Sequence, residues 1–395
     1  MNPTLPFPVY DADNHFYEPE EALFRHLPAK WRNDIRFVEV DGRKRLAIQS
    51  KISDYIPNPT FERVAAPGTH LKYYRAQNTE GLSLRELSGK PITPPSSFRY
   101  GADRLAVLDE HDVHAALMFP TLFSAIESRM SYNHDLLHDA LHALNRWTSE
   151  EWGFAREGRL FGVPIISLAD IDRATAEVDW LIKEGARCVC IRPAPVPGYR
   201  GGRSMALPAF DPFWARISEA GLFVAIHAAD TEYNQLITMW TGGAEWLPFE
   251  SDPFVSCLRI IDRAISDTIA ALICGGVFDR FPNLRVASVE NGANWVAPLI
   301  ETLGHVHGQM PQKFKSDPVE AFRRHIFVAP FIEDSFEDLA RHMDVSRILF
   351  GSDYPHPEGA ERPLDFLEEL TAFDMADKER IMSLNLKGLL EGKRD

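Results

Sequence analysis

Cysteine is scarce in this chain: four in 395 residues, at positions 188, 190, 257 and 274. No two of them make a Cys-x-x-Cys pair, so neither a disulfide framework nor a thiolate zinc site is expected. Basic charge is also short. Forty-two Lys and Arg face 57 Asp and Glu, a net charge of −15 with His neutral. That balance argues against a nucleic-acid-binding surface. No apolar run approaches the ~18 residues of a membrane span. The opening Met1-Asn-Pro-Thr-Leu-Pro6 has no basic or apolar leader region, so no signal peptide is expected and the cytoplasm is the default. No Gly-x-Gly-x-x-Gly follows the first strand-like run, and no His-Glu-x-x-His occurs, so a dinucleotide fold and a zincin have little support. What is present, 45% hydrophobic and 25% charged residues, is the mix of a soluble globular protein.

The pattern along the chain alternates strand-like and helix-like segments. Short apolar runs bounded by turn residues predict eight strands, near residues 9, 115, 160, 188, 222, 285, 326 and 348. Helical periodicity lies between them. Asn133–Arg156 reads as a long helix, Asp172–Glu184 as another, and Asp211-Pro212 starts one that Gly221 ends. Asp252-Pro253 starts a helix expected to run unbroken to Gly275-Gly276. Eight strands with helical crossovers predict a (β/α)8 TIM barrel, distorted, as one domain over residues 1–395. Residues 17–100 interrupt the rhythm with scattered prolines and aromatics. They read as a lid-like insertion after strand 1, with a small hairpin turning at Asp41-Gly42. Helices finish the chain.

In a barrel the carboxyl ends of the strands meet at one mouth. Those ends carry Asp11, Asp13 and His15, then Arg192, His227, Glu290 with Asn291, and Asp353 with His356. Side chains two apart in a strand share a face, so Asp11, Asp13 and His15 are expected together. Ionisable groups there cannot be buried unpaired without a large penalty. Two imidazoles and several carboxylates aimed at one centre read as a metal site. His134, His138 and His142 recur every four residues but read as the flank of a packed helix, and Cys188 and Cys190 as packed. Trp240 and Trp246 follow the His227 strand and are candidates to line a pocket.

Asp13-Asn-His15 with Glu18-Pro19, Val-Ala-Ile-His227-Ala, Glu290-Asn-Gly-Ala-Asn-Trp295 and Gly351-Ser-Asp-Tyr-Pro-His356 together resemble the metal-dependent hydrolases of the amidohydrolase superfamily. The nearest branch is amidohydrolase 2, which includes aminocarboxymuconate-semialdehyde decarboxylase-like enzymes. The resemblance implies one divalent metal, zinc first and iron or manganese as alternatives, on Asp13, His15, His227 and Asp353. Two departures stand out. Asp13-x-His15 replaces the family's frequent His-x-His, which makes the ligand set harder. Glu290 replaces a proton-transfer His after the sixth strand, which weakens a decarboxylase reading. Glu290 is then a ligand, a residue that orients one, or a general base. The expected chemistry is hydrolysis of a small amide, ester, thioester or lactone by metal-activated water. Asp353, Glu290 and His356 are the catalytic candidates, and Arg192 and Asn291 the substrate-binding ones. Non-oxidative decarboxylation of an aromatic or unsaturated acid is the alternative, and a non-catalytic binding barrel the third reading. The expected partner is a small-molecule substrate, not nucleic acid or membrane, and a homodimer is the oligomer to test for.

Overall fold

Ten strands form among the residues described in this computed structural model, 5–49, 51–53, 56–198, 201–242 and 252–392. β1 (Tyr10–Phe16) is followed by β2 (Ile35–Val40), β3 (Arg43–Ile48) and β4 (Lys51–Ser53). Then come β5 (Ala115–Pro120), β6 (Leu160–Gly162), β7 (Cys188–Ile191), β8 (Phe223–His227), β9 (Val286–Val289) and β10 (Ile326–Val328). β1, β5 and β6 pair in parallel in that order, and β7 to β10 form a second parallel sheet in sequence order. β5 and β7 to β10 are buried along their whole length. Near-continuous apolar runs are what a parallel sheet covered on both faces requires. The fold is α/β, with helices between successive parallel strands.

The ends of the two sheets are linked by single bridges rather than ladders. Ile165 bridges Cys190, Val328 bridges Ile348 and Asn14 bridges Tyr354, all parallel. The expected eighth strand at Ile348 is therefore extended backbone without a ladder of its own. Leu349 N donates to Val328 O at 2.8 Å and Ala12 N to Phe350 O at 2.8 Å. Crowding accounts for the irregularity: a Cβ on Gly351 would stand 2.7 Å from the Asp13 Cβ. The chain keeps closing on β1 only because Gly351 has no side chain.

Two helix expectations need correction. The segment from Pro253 is two helices, Pro253–Leu258 and Ile260–Cys274, broken at Arg259, whose φ is +48°. A left-handed residue cannot continue a right-handed helix. The long helix spans His134–Glu151 only, because Gly153 adopts φ +73° two residues later. In the segment between β1 and β5, β2, β3 and β4 make an antiparallel sheet. Asp41 and Gly42 both have positive φ (51° and 70°), the requirement of a tight hairpin turn. This segment touches the far end of the chain: His70 N donates to Pro357 O at 2.8 Å, and Arg75 pairs with Glu369 at 2.6 Å. No described helix is long and apolar enough to cross a membrane.

Candidate metal centre

The site is built where β1, β8 and β9 end and where the extended chain after Ile348 turns. β1 pairs with β5 through a bulge: Asp11 faces Ala116, yet Asn14 faces Met118, three steps against two. The extra residue breaks the alternation, so Asp11 does not join Asp13 and His15 as expected. Its carboxylate accepts from the backbone of Asp13 and Ser352 at 3.0 Å each, from Asn14 Nδ2 at 3.0 Å and from Ser352 Oγ at 2.5 Å. Burial nevertheless pushes Asp11 up to about 6. Asp11 fastens the Ser352 turn to β1 and has no donor capacity left for an ion.

Asp13, His15, His227, Glu290, Asp353 and His356 converge. His15 Nε2 lies 3.2 Å from Asp13 Oδ1, 2.9 Å from Glu290 Oε2, 3.4 Å from Asp353 Oδ1 and 3.2 Å from His227 Nε2. His227 Nε2 is also 3.0 Å from Glu290 Oε2 and 3.7 Å from Asp13 Oδ1. One ring nitrogen carries at most one proton, so a single N–H cannot satisfy four neighbours. Buried Glu290 Oε2 and Asp353 Oδ1 have no hydrogen bond in spite of these approaches. Two donors about 2.1 Å from a common cation, on adjacent positions, lie about 3.0 to 3.4 Å apart, given usual metal–nitrogen and metal–oxygen bond lengths. Four of the six spacings fall in that range and 2.9 and 3.7 Å lie just outside it, so the donor set fits a divalent ion. One ligand atom each from Asp13, His15, His227 and Glu290 falls within 4.8 Å of the others, as does a second set from His15, Glu290, Asp353 and His356. The cluster is a potential metal site.

Electrostatics point the same way. Burial lowers His227, but the charges of Glu290 and Asp13 override it and push the ring up to about 10. Burial and the neighbouring carboxylates of Glu290 and Asp13 hold Asp353 well above the carboxylate range. Burial also raises Glu290, yet the two imidazoles take it well below that range. Burial and the His15 ring push His356 far down. Without a cation, Asp353 keeps its proton beside the charged Glu290.

Both carboxylates at the strand ends sit on left-handed backbone, φ +55° at Glu290 and +56° at Asp353. Such strain in residues other than glycine costs of order 1–3 kcal/mol and gathers at functional sites. His356 stacks on His15 with ring centroids 4.0 Å apart, and its Nδ1 is 2.7 Å from Asp353 Oδ1. Its Nε2 is 3.0 Å from Thr121 Oγ1, whose hydroxyl donates to Phe16 O at 2.9 Å. Thr121 has no second proton, so Nε2 is the donor in that contact.

Arg192 and Asn291 lie outside the cluster. Arg192 is buried, donates to Asp230 O at 2.8 Å and pairs with Glu232 at 3.3 Å and Glu127 at 3.7 Å. Asn291 spends its amide on Ile226 O and Val289 O, at 2.9 and 2.7 Å, tying the ends of β8 and β9 together. His138 Nε2 accepts from Asp170 N at 3.1 Å and His142 Nδ1 meets Glu177 at 2.7 Å. With Arg173 and Trp180 they line a cavity of about 300 Å3 that contains none of the clustered residues. Cys188 and Cys190 are buried. Trp240 is exposed, and Trp246 lies outside the described residues.

Two supporting groups, Arg104 and Thr121, were not read from sequence, and Glu18 was read only as part of a motif, with no role. Arg104, wholly buried, donates to Ser97 O at 2.7 Å, to His15 O at 2.9 Å and to Asn14 Oδ1. The Glu18 carboxylate accepts the backbone N–H groups of Thr121, Leu122 and Phe123 at 3.0–3.1 Å. Thr121 follows directly on β5, so extending the survey of strand ends to that strand finds it. Nothing in the local pattern marks Arg104.

Comparison with known proteins agrees with the motifs. A family described as Amidohydrolase matches residues 93–385. An amidohydrolase structure from Mycobacterium avium subsp. paratuberculosis K-10 is 38% identical, with a TM-score of 0.91 and 98% of each chain covered. A dihydroxybenzoic acid decarboxylase from Polaromonas sp. JS666, solved with bound manganese and 2-nitroresorcinol, shares the fold at 15% identity and a TM-score of 0.62, again over 98% of each chain. A 2-amino-3-carboxymuconate-6-semialdehyde decarboxylase from Dictyostelium discoideum is 25% identical over 210 residues. That match spans 50% of this chain and only 54% of the relative.

Proposed function

This chain belongs to the amidohydrolase family and is an enzyme of that superfamily, and from that premise we propose that it is a metal-dependent carboxy-lyase. Its substrate is an aromatic or unsaturated carboxylic acid, decarboxylated without oxidation. The observation that carries the reading is the pairing of His356 with Asp353 against the His15 ring. An imidazole stands beside the carboxylate cluster even though the position after β9 holds Glu290. The decarboxylases among the relatives support this reaction over the hydrolysis expected from sequence.

Asp13, His15, His227 and Asp353 hold the ion. Carboxylates form half of that set, and carboxylate suits manganese while imidazole suits zinc and iron. We place Mn2+ first, in keeping with the manganese of the Polaromonas protein. An ion held there would supply positive charge beside the substrate carboxylate and the electron pair left on carbon. The bond to the carboxyl carbon breaks, carbon dioxide leaves without that pair, and the ring or alkene carbon takes a proton. His356 supplies that proton, and Asp353 holds its ring from 2.7 Å. Thr121 fixes the His356 ring by accepting from Nε2, which leaves Nδ1 as the nitrogen that exchanges protons at Asp353. Arg192 shapes the mouth by holding the chain after β8, and Asn291 by tying β8 to β9.

We read the bridges at Ile165, Ile348 and Asn14 as the closure of one distorted eight-stranded barrel, with residues 17–100 as a wall over its mouth. The test is a panel of hydroxybenzoates, unsaturated acids, esters, amides and lactones given to Mn2+-loaded enzyme in 18O-water. Carbon dioxide release with no 18O in the organic product supports the proposal. Hydrolysis of esters, amides or lactones with 18O in the product, and no carbon dioxide from any acid, overturns it.

A further inference from the structure

We infer that Glu290 is a fifth protein ligand to the ion, and that the proton-transfer imidazole of this site is displaced to His356. The inference rests on the divalent ion proposed at Asp13, His15, His227 and Asp353. Glu290 Oε2 is 2.9 Å from His15 Nε2 and 3.0 Å from His227 Nε2. Those are the edge lengths of a shared coordination shell with bonds of about 2.1 Å. Oε2 is buried, and neither approach meets the geometry of a hydrogen bond, although the two imidazoles stabilise the charged carboxylate. A cation at the centre of the cluster would give that oxygen a bonded partner in place of the protonated rings.

Backbone geometry supplies a second argument. Glu290 shares the left-handed φ of Asp353, +55° against +56°, at the end of a different strand. A residue with a Cβ is held there against its preference, which places the carboxylate over the imidazole pair. A remote general base needs no such constraint. Ligation also fits the division of labour around it. A carboxylate bonded to the ion is a poor proton carrier, and the other imidazole beside the cluster is His356, 2.7 Å from Asp353. Five protein donors exceed the four usual for zinc, and three of them are carboxylates. That favours an ion which accepts more, harder ligands.

Cobalt(II) reports the number of its ligands in its visible spectrum, absorbing more strongly as the number falls. Chelated wild-type protein and E290A are loaded with one equivalent of Co2+ and compared. The inference expects E290A to absorb severalfold more strongly with a shifted band, and to bind Mn2+ more weakly by about 100-fold or more. Loss of a group that only supports a ligand costs about 10- to 100-fold in affinity but leaves the band in place. If E290A fails to fold, E290Q keeps the volume, and its Co2+ band must also move. Metal uptake with unchanged bands in the folded variants overturns the role of Glu290 and leaves the metal site standing. Failure of wild-type protein to take up Co2+ or Mn2+ removes both.

Discussion

Loading the chelated protein with a divalent ion is expected to release protons. His227 binds an ion only as the neutral ring. In the ion-free chain the Glu290 and Asp13 carboxylates override burial and hold that ring up to about 10, so at pH 7 it carries a proton. Three pK units at 1.36 kcal/mol each put the cost of removing it at about 4 kcal/mol. Ion affinity should therefore tighten about tenfold per pH unit between pH 7 and 9. The slope is steeper if Asp353, raised by burial and the same carboxylates, loses a proton as well. The sign for stability follows from the same shift. His227 is raised above its unfolded value of about 6.5, so its contribution in the ion-free protein is complete below pH 6.5. That contribution is lost as pH rises through about 10. Calorimetric Mn2+ titrations in buffers of different ionisation enthalpy count the protons directly, and thermal melts of chelated protein follow the stability. An affinity constant across pH 7–9, with no proton released, would refute the electrostatic account of the cluster.

Other substitutions separate the remaining roles. Asp353→Asn should leave the fold intact and lower turnover by about 10^3-fold or more, measured as kcat beside far-UV circular dichroism; an active variant removes Asp353 from the chemistry. Gly351→Ala puts a Cβ 2.7 Å from that of Asp13, and denaturant unfolding should register a loss of about 1–3 kcal/mol together with weaker Mn2+ binding. Arg104→Met leaves three buried acceptors, Ser97 O, His15 O and Asn14 Oδ1, without their donor; at about 1 kcal/mol or more each, it should cost at least about 3 kcal/mol, read from the unfolding midpoint. His356→Gln should lower kcat while leaving Mn2+ content unchanged, and equal loss of both would make His356 a structural support.

The residues that meet at the centre were legible because strand ends converge in α/β folds. His227 ends and Glu290 follows a short apolar run, and β8 and β9 formed where those runs lie; Asp353 follows another, Ile348 to Phe350, which stays extended without a ladder. Asp11 was misplaced because strict alternation holds only without a bulge, and the extra residue between Asp11 and Asn14 answers to pairing with β5. The break at Arg259 was hidden for a similar reason: its apolar spacing continues through a residue whose φ is set by surrounding contacts. Arg192 had the right position at a strand end but the wrong neighbours, since Glu127 and Glu232 come from distant segments and take its guanidinium. Arg104 had no signal, because its partners are backbone oxygens and an asparagine gathered by tertiary packing.

Crystals soaked in Mn2+ and recorded near the manganese absorption edge test the central claim most directly. One anomalous peak is expected, with donor atoms of Asp13, His15, His227 and Asp353 about 2.0–2.3 Å away. A peak bonded elsewhere, or none beside well-ordered side chains of these four residues, would contradict it.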